Sequence, residues 1–168
     1  MVWGMSLHAF TLLHAVIALI GIASGLIVLF GMIANKPLNA LHGVFLTTTV
    51  LTSVTAFGFR FHGFNPPINL AIISLVVLAI ALFARYGRHL AGGWRRTYVV
   101  TALIALYFNC FALVVMFFER VPALRALAPT QKEPPFAIAQ LIVLVLFIVA
   151  IVVAAKKFRS EAVVATAR

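Results

Sequence analysis

A chain of 168 residues that is 64% hydrophobic and only 10% charged departs from soluble domains, in which about a quarter of residues carry charge. That composition leaves no room for a separate soluble catalytic domain, and it predicts one all-α transmembrane domain over 1–168. The net charge of +10 does not point to nucleic acid, because the basic residues lie at the ends of apolar runs, where membrane topology accounts for them.

Five apolar stretches are expected to cross a bilayer: 14–34, 41–59, 67–84, 97–118 and 136–155. The first belongs to a longer apolar run, 2–34, which as one helix measures about 50 Å against a hydrocarbon core of about 30 Å. Counting about 20 residues back from Lys36 sets the membrane boundary near His14. Trp3 and His8 then fall at the interface. No Lys or Arg precedes the run, so the first helix is expected to be retained and not cleaved as a leader. His14, Gly21 and Gly25 stand at offsets of 7 and 11, on one helical face, and Gly21-x-x-x-Gly25 with Ser24 lets a neighbouring backbone approach closely.

The second stretch follows Asn35-Lys-Pro37-Leu-Asn39 and holds Thr47, Thr48, Thr49, Thr52, Ser53 and Thr55. Their hydroxyls can bond back to carbonyls of the preceding turn, which suits either close helix packing or a polar cavity lining. The third follows Asn65-Pro-Pro67-Ile-Asn69, a connector like the first. Pro in a first helical turn and Asn as a cap explain the likeness as repeated helix-start chemistry. The fourth carries Tyr107 and Asn109 near its middle, and an amide in hydrocarbon costs several kcal/mol without a partner, so Asn109 must face the bundle. Cys110, the single cysteine, reads as a packing residue. Between the fourth and fifth stretches, Glu119 to Pro135 holds Pro122, Leu124, Leu127 and Arg125, the pattern of a short interfacial helix.

The loops sort by charge. Lys36, Arg85, Arg88, Arg95, Arg96, Lys156, Lys157, Arg159 and Arg168 share one side; Arg60, Arg120, Arg125 and Lys132 share the other. Positive charge concentrates in the cytoplasm, so the N-terminus is expected outside and the C-terminus inside. Arg85, Arg88, Arg95, Arg96, Lys156 and Lys157 are expected to hold anionic lipid headgroups, at about 1 kcal/mol for each charge near the surface.

No Asp, Glu, Lys or Arg lies inside any of the five stretches, which counts against a proton pump or an ion-coupled transporter and leaves a small transporter or channel as the third and disfavoured reading. The candidate ligand pocket combines His14, His62, Tyr107, Asn109, Glu119 and Gln140 beneath the 120–135 loop. The expected function is a non-catalytic accessory subunit of a larger membrane complex or a homo-oligomer, or else a binder of an amphiphile, lipid or quinone. The alternative is a redox protein, with haem b clamped by His14 and His62 or with a bound quinone. A metal without haem lacks acidic or thiolate ligands beside these histidines.

Leu13-His14 and Leu41-His42 each open a helix, and Gly93-Trp94-Arg95-Arg96 forms a basic loop. In these features residues 13–96 resemble a family of small multi-spanning bacterial inner-membrane proteins, a domain of unknown function in which histidine opens two successive helices. The resemblance implies the bacterial inner membrane as location and carries no activity.

Overall fold

The structure, a computed structural model, describes residues 4–36, 38–59 and 66–159. It is a bundle of helices: α1 (Leu7–Ile33), α2 (Asn39–Ala56), α3 (Pro66–Leu82), α4 (Trp94–Arg120), α5 (Pro122–Leu127) and α6 (Pro134–Lys157). The last turn of α3 widens into a π-helical turn, Phe83–Gly87. Among the described residues four segments are long and apolar enough to cross a membrane: α1, α3 with its π-turn, α4 and α6. That suits a multi-pass membrane protein. α2, 18 residues rich in hydroxyls and carrying His42, is not among them.

Local chemistry sets the boundaries. α1 begins well before His14, because the Ser6 hydroxyl accepts the Ala9 N–H and caps its first turn. A membrane boundary does not end a helix, so the start lies seven residues earlier than the hydropathy cut at 14. α1 stops where Asn35 turns left-handed at φ 52°, a conformation asparagine tolerates. There the Asn35 Oδ1 accepts the Arg159 N–H at 2.7 Å and ties the end of α6 to the end of α1. α5 opens on Pro122 and α6 on Pro134, prolines whose missing N–H has no helical partner to lose.

α1 packs most extensively on α2, and α4 touches α1, α2, α3 and α6, so α4 is the hub. Gly25 makes the central crossing possible: a Cβ there would lie 2.5 Å from Leu106 Cδ1 and 2.9 Å from Phe45. The buried core runs through Val28, Phe45, Leu78, Leu103 and Leu106. Outside it the surface is apolar, as on α6, where Leu141, Ile142, Val145, Leu146 and Ile148 all face outward. Such a surface suits a lipid solvent and not water.

The hydroxyls of α2 are consumed as its sequence suggests. Thr48, Thr49, Thr52, Ser53 and Thr55 each donate to a carbonyl three or four residues back, at 2.7–3.1 Å. Ser53 also reaches Ser74 of α3 at 3.1 Å.

Candidate functional site

The bundle has two polar ends. One contains His14, on the early part of α1, with the last turns of α2 and α4. The other contains His42, at the start of α2, with the π-turn and the first turn of α4.

At the His14 end a cavity of about 390 Å³ opens between α1 and α4, closed off by the end of α2 and the start of α3. Its walls are mostly apolar: Ala15, Ala18, Leu19 and Ile22 from α1, Ala112, Leu113 and Met116 from α4. His14 stands on one side, Asn109 at the deep end, and Glu119 and Arg120 at the rim.

A hydrogen bond of 2.7 Å joins His14 Nδ1 to Thr55 Oγ1 and ties the early part of α1 to the last turns of α2. The same hydroxyl lies within hydrogen-bond distance of the Leu51 and Thr52 carbonyls, at 2.7 and 3.1 Å. Phe59 stands edge-on to the imidazole, ring centroids 5.1 Å apart at 90°.

Asn109 is 8% exposed, and among the described residues its Nδ2 donor has no partner. That nitrogen faces α1 at the level of Gly21, 3.6 Å from where a Cβ would stand. An amide donor buried without a partner carries a desolvation cost of about 1–3 kcal/mol.

Of the residues singled out from sequence, the structure brings His14, Asn109 and Glu119 to this one cavity. Tyr107 and Gln140 lie elsewhere. Tyr107 packs against Phe111 and Phe147 on the α6 side of α4. Gln140 Nε2 donates to the Phe111 carbonyl at 3.3 Å. Residues 107 and 109 are about 200° apart around a helix, so a cavity that takes Asn109 turns Tyr107 away. His62 falls outside the described residues. Thr11 and Thr52 also line the cavity; Thr52 is one of the α2 hydroxyls that the sequence offers as a cavity lining, whereas Thr11 carries no such signal.

At the other end the structure builds a polar cluster that the sequence does not reveal. His42 is 1% exposed and Tyr98 is fully buried. The Arg85 guanidinium lies over the Tyr98 ring at 5.3 Å and donates from Nη2 to Asn39 Oδ1 at 2.7 Å. Arg88 lies over Trp94 at 5.5 Å. Arg96, Lys156 and Lys157 are exposed near this cluster, and Arg95 keeps a buried Nη1 without a partner among the described residues.

Among the described residues no three of His, Cys, Asp or Glu gather as a metal ion would need. Comparison of the chain with protein-family models, with curated proteins and with solved structures finds no match.

Proposed function

We propose that the chain is a multi-pass bacterial inner-membrane protein that holds a small amphiphile, a lipid or a quinone, in the cavity at its His14 end. It performs no covalent catalysis of its own in this reading and serves as a binder or as the accessory subunit of a larger membrane assembly. The observation that carries the proposal is the cavity of about 390 Å³, walled mostly by apolar side chains and bearing His14, Asn109, Glu119 and Arg120 among its polar groups. Such a lining suits a molecule with an apolar body and a polar end.

In this reading α2 is the fifth span. Its hydroxyls are already bonded to its own carbonyls, which removes most of their cost in lipid. It is also flanked by α1, α3 and α4. The nine-to-four division of basic residues places the N-terminus outside and the C-terminus in the cytoplasm. The cavity then faces outward, α5 lies along the outer interface, and the arginine-rich end meets anionic headgroups of the inner leaflet.

The test is to purify the full chain from its membrane in polymer-bounded lipid discs, extract it with solvent and identify what co-purifies by mass spectrometry. A stoichiometric amphiphile that is lost in Asn109→Leu supports the proposal; retention unchanged by that substitution overturns it. One observation favours a second reading: the open His14 Nε2 is suited to ligate haem iron. A Soret band that shifts on reduction of the purified protein would put haem in the cavity instead.

A further inference from the structure

Resting on the amphiphile reading of the cavity, we infer that its occupant is a phospholipid with an amine-bearing zwitterionic head, of the ethanolamine kind. One acyl chain lies in the cavity while the head stays at Glu119 and Arg120.

The cavity is a groove along two helices. α4 contributes Asn109, Ala112, Leu113, Met116, Glu119 and Arg120, which recur at three- and four-residue intervals along one helical face. α1 faces it with a similar stripe from Thr11 to Ile22. The two helices meet at the floor: a Cβ on Gly21 would lie 3.6 Å from Asn109 Nδ2, and one on Gly25 would lie 2.5 Å from Leu106 Cδ1. Above that contact the stripes stand apart. From Glu119 down to Asn109 the groove follows α4 for about 15 Å by helical rise. That is half of a hydrocarbon core of about 30 Å. The groove is therefore as long as one leaflet is deep, which is the reach of an acyl chain. Its side is open to lipid, since Leu19 is 50% and Met116 36% exposed, and Ala112 is exposed as well. A chain can enter sideways from the bilayer without its head leaving the interface. A volume of about 390 Å³ stands near the small end of ligand cavities, about 300–1,000 Å³. It suits one chain, and the second chain of the same lipid stays in the bilayer.

The groove carries charge only at its rim, and there of both signs. Glu119 and Arg120 are exposed, and neither is ion-paired among the described residues. Glu119 lies in the last turn of α4, where the carbonyl end of the helix dipole disfavours a carboxylate. Glu133 is already bound within its own turn. An ammonium beside Glu119 offsets the dipole's repulsion, and Arg120 attracts a phosphate. An ethanolamine head brings both groups. A glycerol head brings the phosphate alone and sets its charge near Glu119. A choline head has the positive charge but no N–H to give the carboxylate. A quinone ring is uncharged and matches neither.

The full chain is reconstituted in nanodiscs of equal parts phosphatidylethanolamine, phosphatidylcholine and phosphatidylglycerol, and the lipids it keeps on release are weighed by native mass spectrometry. The groove's lipid is identified as the one lost in Ala112→Trp, which fills the open side, and kept in Leu141→Trp on the outward face of α6. It should be phosphatidylethanolamine, retained about fivefold over either competitor, the scale of one exposed charge pair. Glu119→Gln should abolish that preference and leave the total retained unchanged. Lipid lost in Ala112→Trp without a headgroup preference, or a preference that survives Glu119→Gln, overturns the inference and leaves the amphiphile reading standing. So does a quinone from the native membrane that is lost in Ala112→Trp. If nothing is retained, or if Ala112→Trp leaves retention unchanged, both fail.

Discussion

His42 and Tyr98 face each other inside the bundle, imidazole Nδ1 against phenol oxygen at 2.5 Å, although 56 residues separate them in the chain. Both side chains are buried, and the pair joins the start of α2 to the start of α4. Tyr98→Phe keeps the ring and removes the hydroxyl. It should lower stability by about 1–3 kcal/mol, the cost of leaving a buried polar group unmatched. Thermal unfolding of the wild type and the variant in the same detergent checks this, and an unchanged midpoint would show that His42 finds another partner.

The α1 crossing gives a second expectation. Gly25→Ala drives a methyl group to within 2.5 Å of Leu106 and 2.9 Å of Phe45, so the helices must separate or the side chains leave their rotamers. Overpacking of this kind costs about 1–3 kcal/mol. Gly21→Ala meets Thr48 Oγ1 at 3.2 Å, a milder approach, and should cost less. The order of the two unfolding midpoints is the measurement; Gly21→Ala proving the more harmful would contradict the packing described.

The arginines around the π-turn should differ in how they hold lipid. Arg85 and Arg88 are already engaged, with Asn39 and Tyr98 in one case and Trp94 in the other, whereas Arg96 is exposed. Neutralising Arg96, Lys156 and Lys157 together should strip retained phosphatidylglycerol or cardiolipin in native mass spectrometry, at about 1 kcal/mol for each charge. Arg85→Gln should mainly cost stability. Lipid retention that depends on Arg85 alone would reverse the assignment.

Outside the apolar helices, Glu133 titrates low. Desolvation acts upward on its carboxyl but is outweighed by hydrogen bonds from the Thr130 hydroxyl and from the backbone N–H groups of Glu133 itself, Thr130 and Lys132. A carboxyl whose folded-state pKa is depressed stabilises the fold above its ordinary titration range, and that contribution disappears as pH falls through the lowered value. The turn leading into α6 should therefore hold at neutral pH and loosen only in acid. An NMR titration of the Glu133 carboxyl in micelles should show a midpoint below that of an unperturbed glutamate, and Thr130→Ala should raise it.

Hydropathy makes most of this architecture legible, because the solvent of each helix is written in its composition. Helix ends are less so: caps such as Ser6 and the left-handed Asn35 act beyond the apolar runs, and α1 extends accordingly. His14, Asn109 and Glu119 are legible as one site because each is a polar residue at a definite depth in an apolar helix. The His42–Tyr98 pair is not. Its two halves sit in unrelated stretches, and only the packing of α2 against α4 makes them neighbours. The positions of Tyr107 and Gln140 show the complementary limit, since depth along a helix does not tell which way a residue points around it.

The π-turn at the end of α3 carries one residue more than a regular helix of the same rise would hold. Deleting a single residue there would restore α-helical pitch and slide Arg85 into the place of Ala84, which is completely enclosed. A guanidinium forced into that position would lose its hydration. The basic end of the bundle is therefore sensitive to chain length as well as to side-chain identity, and this five-residue joint should tolerate exchanges of residue type far better than a change in their number.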